Sequence, residues 1–139
     1  MVKYKYLKKP LWQYSSWTAS LILIPVEEDE KSISSRFRKA DMFVFIDAKT
    51  GIMVQENHFK TDKSALFFEN FKKYDVDTLY VKELGYKTYL KLKKLGVVVS
   101  LIPQDVVLYS HIDPDSLLLL TDENAKKLCT LGHKKKDNA

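Results

Sequence analysis

The chain has little cysteine and no long apolar run, and each absence excludes a class of protein. Cys129 is the one cysteine among 139 residues, so an internal disulfide framework is excluded. A lone cysteine fits a reducing compartment, and we expect a cytoplasmic protein. The apolar run SLILIPV (20–26) is too short for a bilayer, so we expect no membrane span and no signal peptide.

Excess positive charge is missing from the body of the chain, although the net charge is +5. Residues 1–20 carry four lysines and no acid, and residues 126–139 carry five lysines and one aspartate. These two ends total +8, which leaves −3 for residues 21–125. A domain that binds nucleic acid usually has a basic face, so nucleic acid is not the expected partner of the folded body.

The length and the charge distribution predict one domain with two basic ends. We assign residues 1–19 to a basic, aromatic N-terminal extension, residues 20–132 to the domain and residues 133–139 to a basic tail. The extension alternates aromatic residues with lysines, so it can stack on a single-stranded nucleic acid or pair with a sheet edge. The simpler explanation, which we favour, is that both ends are solubilising tails.

Apolar periodicity predicts an α/β domain with a mixed sheet. The pattern runs β-β-β-α-β-α-β, which is a hairpin followed by two crossover units with helices on the sheet faces. Gly51 and Gly96 mark the hairpin turn and the end of the second helix. The predicted strands are 20–26, 41–47, 52–59, 76–81 and 97–103, and the helices are 64–75 and 86–96.

The C-terminal third is predicted to be a helical extension. Residues 104–112 form either an edge strand or a meander. Asp113 is a candidate N-cap with Pro114 in the first helical position. A last helix is expected to end at Gly132.

Five short motifs occur along residues 20–103 in an order known from one family. They are IPV, SRFRKA, EN and two LG pairs around the second predicted helix. This part of the chain resembles the nitrogenase iron–molybdenum cofactor biosynthesis and carrier family. The resemblance implies a ribonuclease H-like fold with five strands in the order 3-2-1-4-5. It also implies metallocluster binding in nitrogen fixation, with the iron–molybdenum cofactor or an iron–sulfur precursor as cargo and nitrogenase assembly proteins as partners.

The SRFRKA loop departs from the family motif at its charged positions. Arg36 stands where the family has histidine, Arg38 where it has glycine and Lys39 where it has arginine. The loop therefore offers cations in place of a metal ligand, and such cations can hold an anionic cluster through charge-assisted hydrogen bonds. The expected cofactor-binding residues are Ser35, Arg36, Phe37, Arg38, Lys39 and Gly85.

Strand order predicts where this site lies. In an open α/β sheet, ligands bind beyond the carboxyl ends of the strands where connections diverge. With the order 3-2-1-4-5, loop 27–40 and the turn at Gly85 meet there, and the helix that follows Gly85 offers free N–H groups. The alternative is that the loop cations only neutralise the acids of residues 27–30.

Metal ligation has two candidate positions in the sequence. His58 is two residues past Glu56, which predicts that both side chains share one strand face and makes His58 the first candidate ligand. Cys129 and His133 are four residues apart, as a helical metal pair would be, but a zinc site needs four ligands. Cys129 is otherwise a small buried apolar residue.

Enzymatic activity is not expected. Ribonuclease H-type nucleases place a carboxylate inside the first strand, and LILIPV has none. The chain also lacks G-x-S-x-G, P-loop and H-E-x-x-H motifs. Besides the carrier, two alternatives remain: a regulatory or protein-interaction module without cargo, and a nucleic-acid binder that acts through its basic ends. An exposed edge strand allows either a monomer or a homodimer.

Overall fold

The computed structural model describes residues 21–47 and 51–129. The predicted extension 1–19, the tail 133–139 and the predicted helix end at Gly132 lie outside these residues. The strands are β1 Leu21–Val26, β2 Met42–Asp47, β3 Gly51–Glu56, β4 Thr78–Val81, β5 Val98–Leu101 and β6 Leu118–Leu119. The helices are α1 Ser64–Phe71, α2 Tyr86–Lys94 and α3 Ala125–Leu128.

The strands form one mixed sheet in the order β3-β2-β1-β4-β5-β6. β1 pairs antiparallel with β2 and parallel with β4, so the predicted α/β class is confirmed. The predicted count of five strands is wrong, and the order differs from 3-2-1-4-5 by the added edge strand. Leu118 and Leu119 pair antiparallel with β5, and a strand of two residues leaves no alternation to recognise in a sequence.

The helices do not cover both faces of the sheet, which corrects a second prediction. The connections β3–α1–β4 and β4–α2–β5 both move towards β5 between parallel strands, so crossovers of one hand bring both helices to the same face. Phe67 and Phe71 of α1 and Leu92 of α2 share one buried cluster with Cys129 at the end of α3.

The opposite face is covered by irregular chain instead of a helix. Ile102, Tyr109 and Ile112 pack there against aliphatic residues of β1, β2 and β3. Residues 104–112 thus meander, with a 3₁₀ turn at Tyr109–His111. Asp113 caps a second 3₁₀ turn, because its side chain accepts a hydrogen bond from the N–H of Asp115 at 3.0 Å.

Loop 27–40 is anchored to both faces of the sheet. Ile33 is buried in the aliphatic cluster, and its N–H donates to the carbonyl of Val107 at 2.7 Å. Phe37 is buried in the aromatic cluster on the helical face. The loop therefore wraps the edge formed by the end of β1 and the start of β2, and its charged residues stay exposed or half-buried.

Gly96 ends α2 as predicted, with a positive φ of 79°. Gly51 also has a positive φ, at 106°, where the hairpin returns into β3. In the residues that the structure describes, no helix is both long enough and apolar enough to cross a membrane.

Candidate functional site

A cavity of about 670 Å³ lies beside loop 27–40, at the edge of the sheet where β1 and β3 end. Three of the predicted cofactor-binding residues line it, and its other wall comes from the segment that leads into α1. The lining residues are Arg36, Arg38, Lys39, Asp41, Lys60, Thr61, Asp62, Lys63 and Ser64. We call this space the basic cavity.

The basic cavity carries more positive than negative charge. Its lining holds five cations and two carboxylates, a formal sum of +3. Lys60 Nζ lies 2.9 Å from Asp41 Oδ1, and this hydrogen bond raises the pKa of Lys60 above its usual value. Within the described residues, no ion pair joins Arg36, Arg38, Lys39 or Lys63 to a carboxylate.

Among the described residues, no ion pair joins an acid of loop 27–40 to these cations, although the negative charge of Glu28 helps to raise the pKa of Lys60. Asp29 accepts hydrogen bonds from the hydroxyl of Ser32 and from the backbone N–H groups of Ser32 and Lys31. These bonds lower the pKa of Asp29. Its carboxylate thus closes a local turn, and among the described residues it forms no ion pair with Arg36 or Arg38.

The N-terminus of α1 adds further positive potential to the cavity. The first helical bond runs from the N–H of Phe67 to the carbonyl of Lys63, so the N–H groups of the first turn have no helical acceptor. No side chain caps this end. Lys91 of α2 reaches the same end, because its Nζ donates to Ser64 Oγ at 2.6 Å.

Phe37, a predicted cofactor-binding residue, lies in the core and does not line the basic cavity. Its side chain is 5% exposed. The ring packs edge-on against Phe67 and Phe71, with centroid distances of 5.3 and 5.4 Å. The apolar ring follows the hydrophobic effect into the helical face, while the charged neighbours Arg36 and Arg38 stay at the surface.

Asn57 fixes the shape of the loop, and sequence reasoning missed it. Its side-chain amide is buried and donates to the carbonyls of Arg38 and Ala40, both at 2.9 Å. Its Oδ1 accepts from the N–H of Phe59 at 3.0 Å. The EN motif gave the signal, because an asparagine that ends a strand commonly bonds nearby backbone groups.

Gly85 does not line the basic cavity, so the predicted site is not assembled as expected. It is the N-cap of α2 with a φ of −71°, a conformation open to any residue. Lys82, three residues before Gly85, forms two hydrogen bonds with Gln104. Lys82 Nζ donates to the carbonyl of Gln104, and Gln104 Nε2 donates to the carbonyl of Lys82. Ser35 is exposed and also lies outside the cavity lining.

His58 does not share a strand face with Glu56, because β3 ends at Glu56. The side-chain hydrogen bonds of Asn57 turn the chain at this point. The His58 imidazole is exposed, and its ring lies 6.5 Å from that of Phe59. No group of three or more potential metal ligands occurs in residues 21–47 and 51–129.

Cys129 is buried in the helical-face core, and burial raises the pKa of its thiol. α3 ends at Leu128, and Cys129 has an extended backbone, so Cys129 itself is not part of a helix. His133 lies outside the described residues. The interpretation of Cys129 as a small buried apolar residue is confirmed.

Comparisons with known proteins show similarity at the level of the fold. No protein-family model matches the sequence, and no curated protein matches it. The apo form of the orange protein from Desulfovibrio gigas is similar in structure, with a TM-score of 0.50 and 22% identity over 60% of this chain and 76% of that protein. A candidate NifB protein from Thermotoga aligns with a TM-score of 0.47 and 22% identity, over 60% of this chain and 77% of that one. The chain therefore shares an α/β fold with the orange protein.

Proposed function

We propose that the protein is a non-enzymatic carrier that binds an anionic iron–molybdenum or iron–sulfur cluster in the basic cavity. One observation carries the proposal: Arg36, Arg38, Lys39 and Lys63 converge on one cavity without carboxylate partners among the described residues. Gathering like charges costs electrostatic energy in the empty protein, and a bound anion offsets that cost.

The choice of a metal–sulfur cluster as the anion rests on two supports. The motif order along residues 20–103 resembles that of the nitrogenase cofactor carriers. The fold is shared with the orange protein, whose structure was solved in its apo form.

In this proposal the cavity holds its cargo by charge and hydrogen bonds. The lining offers two guanidinium groups and three ammonium groups, and it includes neither a thiol nor an imidazole. Guanidinium groups donate paired hydrogen bonds to carboxylates and to other anionic acceptors. A carrier that does not coordinate the metal can release the cluster without breaking a metal–ligand bond. Under this proposal, its donor and acceptor are nitrogenase assembly proteins in the cytoplasm.

Anaerobic loading tests the proposal. The full chain is purified without oxygen, and its iron, molybdenum and visible absorption are measured before and after incubation with the isolated iron–molybdenum cofactor or with iron and sulfide. The same is done for Arg36→Gln/Arg38→Gln/Lys39→Gln. A control variant removes three exposed lysines outside the cavity, as Lys87→Gln/Lys94→Gln/Lys126→Gln.

We expect stoichiometric, coloured loading of the wild type and of the control variant, and loss of cluster from the cavity variant. Equal retention by the cavity variant would remove the basic cavity from the account. A colourless protein that refuses both clusters would contradict the carrier proposal and favour the cargo-free interaction module.

A further inference from the structure

We infer that the basic cavity recognises the oxygen-bearing anionic part of its ligand, a polycarboxylate or polyphosphate with at least two negative charges, and binds it without any metal. The inference rests on the site of the proposed function, but it concerns a separable property. A metal-free polyanion can bind where a cluster does not, and a cluster can bind where a free polyanion is too weakly held.

The arrangement of the cations favours a polyanion over a monoanion. Arg36, Arg38 and Lys39 come from loop 27–40, whereas Lys60 and Lys63 come from the segment before α1. Of these five cations, Lys60 alone forms an ion pair within the described part of the chain, and its partner is Asp41. A monoanion would leave most of this repulsion in place, while a ligand with several charges reaches cations on both walls.

The lining also favours oxygen anions over a stacked ring. Phe37, the aromatic residue of the loop, has its ring in the core, so it presents no face to the cavity. Thr61 and Ser64 add hydroxyl groups to the lining. Guanidinium, ammonium and hydroxyl donors together match the acceptors of carboxylates and phosphates.

The N-terminus of α1 contributes to the same preference. Free N–H groups and the helix dipole favour negative charge at Lys63 and Ser64. Lys91 adds a further ammonium through its hydrogen bond to Ser64. The helix end alone would be too general to define a ligand, and the loop cations, which form no ion pair with any described residue, supply the specificity for multiple charge.

Isothermal titration of the metal-free full chain tests this inference, with citrate and pyrophosphate as probes and acetate as the monoanion. We expect citrate, pyrophosphate or both to bind at low salt more tightly than acetate, and to weaken as salt rises. Tighter binding of citrate identifies a carboxylate-bearing ligand, and tighter binding of pyrophosphate a phosphate-bearing one.

Two cavity variants with opposite expected effects on affinity, together with one control variant, separate recognition from misfolding. Arg36→Gln/Arg38→Gln/Lys39→Gln should weaken the preferred probe at least about tenfold, because it removes direct charged partners. Lys87→Gln/Lys94→Gln/Lys126→Gln removes the same charge from outside the cavity and should change the affinity less than about twofold. Asp41→Asn should tighten binding about twofold to tenfold, since it removes a carboxylate from the lining and releases Lys60.

The results that overturn the inference are equally specific. They are the absence of polyanion binding at low salt, equal losses in the cavity and control variants, and weaker binding by Asp41→Asn. Cluster loading with no binding of either probe would leave the proposed function standing while refuting this inference. Polyanion binding by a protein that does not bind clusters would support this inference and refute the proposed function.

Discussion

Two turns at the same edge of the sheet lead into helices, but only one of them faces a group of cations that form no ion pair with other described residues. The turn before α1 faces Arg36, Arg38 and Lys39 across the basic cavity. The turn before α2, at Gly85, follows a lysine that is tied to Gln104. Both offer a helix N-terminus, so the helix end by itself does not decide where an anion binds.

The difference shows how side chains select among similar backbone sites. The strand order predicted the junction of β1 and β4, which is where Gly85 lies, as the ligand position. The basic cavity lies further along the edge, beside β2 and β3, because Asn57 and Phe37 hold loop 27–40 over that side. Asn57 and Phe37 therefore determine which helix N-terminus lies opposite the cations of the loop.

Truncating Phe37 should have the largest effect on this comparison. Phe37→Ala removes a buried ring from the aromatic cluster, so the free energy of unfolding should fall by about 3–5 kcal/mol in chemical denaturation. Phe37→Leu keeps an apolar side chain and serves as the milder control. A stable Phe37→Ala protein that has lost only its ligand would show that the ring contacts the ligand instead.

Asn57 should come next, because it ties the basic loop to the turn before α1. Asn57→Ala leaves the carbonyls of Arg38 and Ala40 without their buried donor, which should cost about 1–3 kcal/mol of unfolding free energy and weaken polyanion binding. Asn57→Asp should cost more, since a carboxylate would face two carbonyl oxygens. Asn70→Ala removes a longer, 3.4 Å hydrogen bond to Asp62 and provides an amide control for the stability measurement alone, because Asp62 lines the cavity. Equal stability of Asn57→Ala and wild type would show that these hydrogen bonds do not hold the loop in place.

Changing Gly85 tests the other turn. Gly85→Ala should lower the unfolding free energy by no more than about 1 kcal/mol, because the backbone conformation is allowed but alanine is a poorer N-cap than glycine. Polyanion affinity should stay within about twofold of wild type. A tenfold loss of affinity in the titration would move the site back to the junction of β1 and β4.

Replacing His58 should have the smallest effect. His58→Gln alters an exposed side chain outside the cavity lining, so the unfolding free energy should change by less than about 0.5 kcal/mol. Metal content after anaerobic loading should equal that of wild type. A drop in iron or molybdenum retention would instead make His58 a ligand.

Much of the fold was readable from the sequence because its strands are buried and its helices amphipathic. The run LILIPV predicted β1, and the spacing of Phe67, Phe68 and Phe71 predicted α1. β6 was not predictable, since two exposed leucines form a strand only through pairing with β5. The placement of both helices on one face follows from the direction of the crossovers, which local patterns do not encode.

The candidate site was predictable in part, for a similar reason. The charge pattern identified Arg36, Arg38 and Lys39, because surface cations keep their exposure whatever the detailed fold. The opposite wall, with Lys60 and Lys63, depends on how β3 ends and α1 begins. Phe37 was assigned to the ligand because the motif placed it among the cations, and only the packing of its ring reveals its role in the core.

The most direct test of the central claim is to map the bound polyanion on the protein by ¹H–¹⁵N spectra recorded during titration with citrate or pyrophosphate. We predict that the amide signals of residues 36–41 and 60–66 shift together with one affinity, while those of residues 82–87 stay in place. Largest shifts at residues 82–87 would place the site at the turn before α2 and contradict the account.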